Sequence, residues 1–210
     1  MNWSNKKYRI TSEEPADTEL TKVIAAIEPE KTTTISPQDN KIYLYGDINR
    51  ESILNLNRQI DEITKQLWMV KLTYNLVEPP PIEIHISSDG GEIFPAMASV
   101  DKIITNPIPV HTYCEGIVAS AATLISVVGS QRFITKNTCM LIHQVSSGLW
   151  GNYAEFKEEV QNLDLIMKLI KTIYLKHTKY KAKALEEILN HDFVLSADEC
   201  LKNGLVDKIV

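Results

Sequence analysis

Short segments with the two-residue period of strands alternate along this chain with longer segments that have the spacing of helices. The clearest strand is Ile82–Ile86, where apolar and polar residues alternate strictly after three prolines that cannot continue a helix. The segment before it is helical, because its apolar residues recur at spacings of three and four: Ile53, Leu56, Ile60, Ile63 and Leu67. This alternation predicts an α/β fold.

The composition narrows the class of protein. The 210 residues suffice for one ordinary domain, and 27 acidic against 22 basic side chains argue against a nucleic-acid partner. Cys114, Cys139 and Cys200 lie too far apart for a zinc motif or a disulfide scaffold, so no metal is expected. The most apolar stretch, Ile117–Val128, is about half of what a bilayer requires. We therefore expect a cytoplasmic protein without a membrane partner.

The polarity of each segment and the positions of proline and glycine predict how the chain is divided. Residues 1–40 are polar and mixed in charge and form a predicted N-terminal arm, separate from a domain over residues 41–210. The stretch from Gln66 to Pro81 is predicted as a connector, and Gly116 is predicted to turn a strand over 109–114 into a helix over 118–128.

One helix is predicted over about residues 152–177. At 1.5 Å per residue it would be about 39 Å long, more than a compact core of this size needs. Its apolar residues recur at helical spacing from residue 156 to residue 174. A capping box from Ser196 to Glu199 and Gly204 predict the start and end of a later helix, followed by a closing strand over 205–210.

Ser120 is the first candidate for chemistry, because it follows a strand, begins a helix and has only small neighbours. Unpaired N–H groups at such a helix start favour negative charge and could stabilise an oxyanion. The competing interpretation is a serine that caps the helix. Gly90 and Gly91 follow the strand Ile82–Ile86, where they could turn N–H groups toward a bound carbonyl or simply form a tight turn.

Two further candidates could act on such a serine. His143 ends an apolar strand, where a histidine can be a base or a structural residue. Asp192 precedes the capping box, where its carboxylate could simply contribute to the helix cap. His191 adjoins this carboxylate, and we expect its ring to point elsewhere. None of these residues identifies a reaction alone.

Taken together, their order and motifs resemble the ClpP family, the serine peptidases of the Clp protease. The resemblance covers roughly residues 41–210. The similar features are a Ser-x-Gly-Gly loop, a Gly-x-x-Ala-Ser turn, an Ile-His-Gln strand end, the long helix, an Asp-x-x-Leu-Ser-Ala segment and the Gly-Leu-Val-Asp ending. The resemblance implies a crotonase-like spiral of ββα units, with the helix over about 152–177 as a protruding handle.

The resemblance also implies roles, position by position. Ser120 matches the nucleophile, His143 the base and Asp192 the acid that orients it. Gly91 and Ala121 match the backbone donors of the oxyanion hole. The segment Gly148–Gly151 resembles the strand of the handle, to which a substrate peptide adds.

The implied assembly is two stacked heptameric rings of this subunit, or rings mixed with other ClpP-type subunits. An AAA+ unfoldase ATPase would feed polypeptide substrates into the chamber. This chain itself would need no cofactor, since ATP would be used by the ATPase. Asp89 stands where the family usually has proline, and we expect its carboxylate to point outward, away from the oxyanion hole.

Three other functions compete with an active endopeptidase. A non-catalytic ClpP-like subunit or adaptor would keep the fold without turnover. A crotonase-fold enzyme would use the oxyanion hole on an acyl thioester, without needing the Ser-His-Asp order. A Ser-Lys peptidase of the signal-peptide-degrading type would leave His143 and Asp192 without a role.

Overall fold

A computed structural model describes residues 40–148 and 150–210 of the chain. The predicted arm over residues 1–40 lies outside the described residues, apart from Asn40. The elements are β1 (Lys41–Tyr45), α1 (Arg50–Tyr74), β2 (Ile82–Ser88), α2 (Ile93–Thr105), β3 (Val110–Ala119), α3 (Ala121–Ser126), β4 (Gln131–Ile134), β5 (Cys139–Leu141), α4 (Tyr153–His177), α5 (Ala182–Leu189), β6 (Val194–Ser196), α6 (Ala197–Asn203) and β7 (Lys208–Ile209).

The strands form one mostly parallel sheet, in agreement with the predicted α/β class. Its main path runs β1, β2, β3, β4, β7, and all of these neighbours are parallel. At the far end of β3, β5 pairs with it in parallel and carries β6 in antiparallel pairing. Helices α1 and α2 cover β1 and β2 with buried apolar residues, so the core lies between these helices and the sheet.

The prediction that Gly116 ends a strand and begins a helix was wrong. β3 continues through Gly116 to Ala119, and α3 begins only at Ala121. Gly116 has φ +66°, a conformation that suits glycine, and it marks the point where β3 changes partner from β4 to β5. The pairing with β5 keeps the chain extended beyond the glycine. Such pairing is tertiary and does not show in a local pattern.

The predicted connector from Gln66 to Pro81 was also too long. α1 continues to Tyr74 and ends at Asn75, which is left-handed (φ 52°) and donates its N–H to the Lys71 carbonyl. The prolines that prevent a helix begin only at Pro79. Val70 is buried, so the last turns of α1 still pack on the core.

The long helix matches its prediction closely. α4 begins after Asn152, whose side chain accepts hydrogen bonds from Ala154 and Glu155 in a capping box. Only Ile170 and Tyr174 of this helix are buried, whereas several apolar side chains nearer its N-terminus are exposed: Tyr153, Phe156, Val160 and Leu165. Within the described part of the chain, no strand forms before α4 over residues 142–152. In the segment Gly148–Gly151, which resembles a handle strand, the described residues Gly148, Trp150 and Gly151 lie outside any strand.

In the C-terminal part of the chain, the predicted helix caps are confirmed, but not all of the helices and strands were predicted. Ser196 and Glu199 form the predicted capping box, and Gly204 ends α6 in the left-handed conformation. α5 and β6 were not predicted, and the closing strand is only Lys208–Ile209. Among the described residues, no helix is long and apolar enough to cross a membrane.

Arg132 joins four separate segments at the C-terminal end of this domain. Its side chain binds both carboxylate oxygens of Asp207, with Nη2 to Oδ1 at 2.6 Å and Nε to Oδ2 at 3.0 Å. Nη1 also donates to the backbone carbonyls of His177 and Gly204. These hydrogen bonds hold the pKa of Asp207 below its usual range. The end of α4, the end of α6 and β7 are thereby fixed to β4.

We expect Arg132→Ala to lower the free energy of unfolding by about 3 kcal/mol, because it leaves a carboxylate and two carbonyls without their donor. Arg58→Ala removes an exposed arginine of α1 and should change the free energy by less than about 0.5 kcal/mol. Urea denaturation at one protein concentration measures both. Equal effects of the two substitutions would contradict the role given to Arg132.

The carboxylate of Asp207 makes the free energy of unfolding depend on pH. Since its pKa is depressed in the folded state, its contribution to stability is present above its unfolded pKa of about 4 and is lost as pH falls below that value. Asp207→Asn should therefore flatten the acid side of the stability profile.

Candidate active site

Ser120 lies between β3 and α3 in a strained backbone conformation, with φ 53° and ψ −127°. Its N–H donates to the Leu141 carbonyl of β5 at 2.8 Å, which continues the pairing of β3 to this residue. Within the described chain, its side chain makes no capping hydrogen bond. The interpretation as a helix-capping serine is therefore not supported. A non-glycine residue with positive φ at a strand-to-helix turn instead presents its hydroxyl away from both elements.

The glycine loop packs directly against this turn. A Cβ on Gly90 would meet the Ser120 Cβ at 2.6 Å, and one on Gly91 would meet the Ile48 carbonyl oxygen at 2.2 Å. Both glycines have positive φ, at +103° and +146°. Only residues without a Cβ allow the loop to lie so close to the serine turn at Gly90 and to the Ile48 backbone at Gly91.

Among the described residues, the N–H of Gly91 has no hydrogen-bond acceptor and the N–H of Ala121 has none within its helix, so both predicted oxyanion donors could serve a ligand. The hydrogen bonds around Gly91 run from Ile48 N–H to the Gly90 carbonyl (2.8 Å) and from Glu92 N–H to the Ile48 carbonyl (2.7 Å), so neither uses the Gly91 N–H. Ala121 is the first residue of α3, where an N–H has no acceptor within the helix. Asp89, in the same loop, is exposed; its outward direction stays a prediction.

His143 and Asp192 are brought together by the pairing of β5 with β6. Leu141 pairs with Val194 in this antiparallel pair. His143, just after β5, and Asp192, just before β6, therefore lie side by side. His143 Nδ1 is 3.7 Å from Asp192 Oδ1, within ion-pair range but longer than a hydrogen bond. The side chain of Asp192 is 80% exposed, against 25% for His143. The ring of His191 packs on the ring of Phe193, with 5.0 Å between their centroids.

Four of the five predicted site residues line one cleft of about 330 Å³: Gly91, Ser120, Ala121 and His143. Asp192 does not line it and lies beside His143. Among the described residues, no hydrogen bond joins Ser120 to His143 or His143 to Asp192. The structure thus brings Ser120, His143 and the two candidate N–H donors to one cleft, without the hydrogen bonds that would join Ser120, His143 and Asp192.

The rest of the cleft was not predicted from the sequence. Its apolar wall comes from Phe94 at the start of α2, Leu124 in α3, and Ile170 and Tyr174 in α4. The apolar stripe of α4 was visible in the sequence, but no local signal showed that its C-terminal third reaches the cleft. Arg50 and Glu92 add one charge of each sign at the lining.

Other nucleophiles and metals find little support in the described residues. Burial raises the pKa of the Cys114 and Cys200 thiols to about 12, so neither forms a thiolate near neutral pH. In the described ranges, no group of three or more His, Cys, Asp or Glu side chains could hold a metal ion.

Two comparisons with known proteins agree with this architecture. A model of the family described as Clp protease matches residues 36–210. A solved structure of a mutant ClpP1 from Listeria monocytogenes superimposes with a TM-score of 0.70 at 24% sequence identity, and covers 81% of this chain and 91% of that one. At this identity the likeness concerns the fold, and it confirms the predicted α/β fold of the ClpP type.

We expect Gly90→Ala to destabilise the protein more than Gly46→Ala, although the two backbones are nearly the same, with φ +103° and +101°. A Cβ at Gly46 meets nothing within 4 Å, so that substitution should cost only the strain of its φ, about 1–2 kcal/mol. Gly90→Ala adds the contact with Ser120 and should cost about 1–3 kcal/mol more. Urea denaturation gives both values. Equal losses would mean that the glycine loop does not press on the serine turn.

Proposed function

Because this chain belongs to the Clp protease family, we propose that it is an active serine endopeptidase subunit of a self-compartmentalised, ATP-dependent protease. Membership makes it a ClpP-type peptidase; the serine mechanism, the active state and the ATPase partner are what we propose. The observation that carries the proposal is the strained Ser120 turn, which shares one cleft with Gly91, Ala121 and His143. Its substrates would be unfolded polypeptides.

In the proposed reaction, Ser120 Oγ attacks the carbonyl carbon of the scissile peptide bond while His143 takes the hydroxyl proton. The carbonyl oxygen becomes an oxyanion, which the N–H groups of Gly91 and Ala121 stabilise. His143 then gives the proton to the leaving amine, and an acyl-enzyme remains on Ser120. Water, deprotonated by His143, attacks the ester and releases the new carboxyl terminus. Asp192 orients the imidazole and stabilises its charged form.

The cleft also supports a preference for apolar side chains. Phe94, Leu124 and Ile170 line it, and a side chain of similar polarity gains by leaving water there. Arg50 and Glu92 also line the cleft, where they would make polar contacts with the bound peptide.

Closure of the triad would complete this mechanism. His143 must approach Asp192 by about 1 Å to form a hydrogen bond, whose usual length is about 2.9 Å. An exposed carboxylate is also screened by water, which weakens its hold on the imidazole. Catalytic hydrogen bonds often tighten only when substrate binds, and ring assembly would remove water from this end of the molecule.

The assembly we propose is a pair of stacked heptameric rings, served by an AAA+ unfoldase. The exposed apolar side chains in the N-terminal half of α4 supply a surface that a second subunit would cover. Rings mixed with other ClpP-type subunits would use the same surface. ATP would be hydrolysed by the unfoldase, and this chain would need no cofactor.

A non-catalytic subunit of a mixed complex is the second candidate. The observation in its favour is the open triad, with 3.7 Å between His143 and Asp192 and an exposed carboxylate. Such a subunit would keep the fold and the handle while a partner subunit cleaves the substrate.

A serine-directed fluorophosphonate separates the two candidates. We expect the assembled wild-type protein to be labelled on Ser120, with no labelling of Ser120→Ala. His143→Ala and Asp192→Asn should each slow labelling and peptide hydrolysis by about 10²- to 10⁴-fold, because they remove the base or its orienting charge.

Asp198→Asn is a matched control for the acid, since it neutralises another exposed carboxylate six residues along the chain, and His191→Ala is the control for the base. Both should leave labelling unchanged. An assembled wild-type protein without Ser120-dependent labelling would favour the non-catalytic subunit, and unchanged labelling of Asp192→Asn would mean that another group acts as the acid.

The handle is tested by Val160→Asp against Gln161→Asp. Each adds one negative charge to α4, but Val160 is apolar and 57% exposed, whereas its neighbour is polar. Burying the new carboxylate at Val160 is costly, so this variant should form smaller species in sedimentation velocity. The Gln161 variant should assemble like wild type. Identical sedimentation of the two variants would contradict a role for this apolar stripe in assembly.

A further inference from the structure

At the wall of the cleft, Tyr174 of α4 forms a hydrogen bond with Thr123 of α3 that the mechanism above does not use. Thr123 and Tyr174 are 0% and 2% exposed, and Thr123 Oγ1 lies 2.6 Å from the Tyr174 hydroxyl. Burying two hydroxyl groups among apolar side chains is unfavourable unless their hydrogen bonds are satisfied. The two groups therefore hold each other in a defined geometry.

The direction of these hydrogen bonds follows from the number of protons. Thr123 Oγ1 also lies 2.5 Å from the carbonyl oxygen of Ser120, which can only accept. Threonine has one hydroxyl proton, so if it is donated to this carbonyl, the Thr123 oxygen must accept from Tyr174. Burial raises the pKa of Tyr174 above its usual range, which keeps the phenol protonated. The chain of donors runs from Tyr174 to Thr123 to Ser120.

The Ser120 carbonyl consequently accepts two hydrogen bonds from one residue. Thr123 donates its backbone N–H at 3.0 Å in addition to its hydroxyl. A backbone contact of this kind is ordinary in the first turn of a helix. The link through Tyr174 is different, because it ties the turn to a second helix 51 residues later in the chain.

Fixing this carbonyl also fixes one oxyanion donor. The carbonyl of Ser120 and the N–H of Ala121 belong to the same peptide unit, which is planar and trans, so the two groups point in opposite directions. Ala121 lines the cleft and Thr123 does not, so a carbonyl drawn toward Thr123 turns the Ala121 N–H toward the cleft. The strained ψ of Ser120 is the angle that sets this plane.

We propose that Thr123 and Tyr174 are positioning residues, which hold the Ser120–Ala121 peptide plane so that the Ala121 N–H faces the oxyanion. The role rests on the proposed function, because it matters only if an oxyanion forms at Ser120. It acts through the backbone of the nucleophile turn, and neither hydroxyl touches the reacting atoms. We call the two hydrogen bonds that run from Tyr174 through Thr123 to the Ser120 carbonyl the relay. Because Tyr174 belongs to α4, the relay also makes the geometry of the site depend on how α4 packs.

Tyr174→Phe tests the relay by removing one hydroxyl and no carbon. Thr123→Val cuts the relay at its other member, and Thr123→Ser keeps the hydroxyl. The matched control is Tyr180→Phe, because the Tyr180 hydroxyl is buried and has no hydrogen-bond partner among the described residues. Each variant is assembled as the full chain and assayed for peptide hydrolysis, fluorophosphonate labelling and thermal unfolding.

We expect Tyr174→Phe and Thr123→Val to lower kcat and the labelling rate about tenfold, equal to about 1.4 kcal/mol, with KM within about twofold of wild type. The loss falls on kcat because the oxyanion exists only in the transition state and the intermediate. The double variant should be no slower than the slower single variant, since both cut one relay. Thr123→Ser and Tyr180→Phe should retain wild-type kcat.

If Tyr174→Phe and Thr123→Val keep wild-type kcat and only lower the melting temperature, the proposal is overturned. The hydrogen bond between the two residues would then contribute to stability alone. An equal loss of kcat in Tyr180→Phe would overturn it as well. Should one variant fail to assemble, the other cuts the same relay and decides the question. Wild-type protein without Ser120-dependent labelling would instead refute the proposed function and, with it, the positioning role.

Discussion

The backbone of Ser120 is the constraint on which the site depends. Its conformation, with φ 53° and ψ −127°, is unfavourable for a residue with a side chain and persists only because its surroundings hold it. Pairing of its N–H with Leu141 fixes one side, and the glycine loop at Gly90 fills the other. The same β5 that accepts this hydrogen bond leads directly to His143. One turn thereby sets the positions of Ser120, His143 and the two candidate N–H donors.

Helix α4 serves two parts of the molecule. Its C-terminal third buries Ile170 and Tyr174, which line the cleft, and is fixed at its end by Arg132, whereas its N-terminal half exposes apolar side chains. A helix with these two surfaces suits a subunit whose site is completed within an assembly. The open contact between His143 and Asp192, at an exposed edge of the molecule, fits the same interpretation. Assembly and catalysis would then share a single structural element.

The sequence alone was enough to predict those helix ends that depend only on local signals. Asn152, Ser196 and Gly204 cap helices in the way their residue types predict, and α4 has nearly its predicted bounds. Where tertiary pairing decided, local signals were misleading: Gly116 lies within β3 because β5 extends that strand. Residue order and motifs indicated Ser120, His143 and Gly91, but not the positive φ of Ser120, which depends on contacts with Gly90 and Leu141. The link between Thr123 and Tyr174 joins residues far apart in the chain, so no sequence motif contains it.

The structure of the assembled protein after reaction with a fluorophosphonate tests the central claim most directly, since the phosphonyl oxygen stands in for the oxyanion. The account predicts an adduct on Ser120 Oγ whose phosphonyl oxygen lies within about 3 Å of both the Gly91 and the Ala121 N–H groups, with His143 hydrogen-bonded to Asp192. An adduct whose oxygen points away from these two N–H groups, with the Ser120–Ala121 peptide plane turned over, would contradict it.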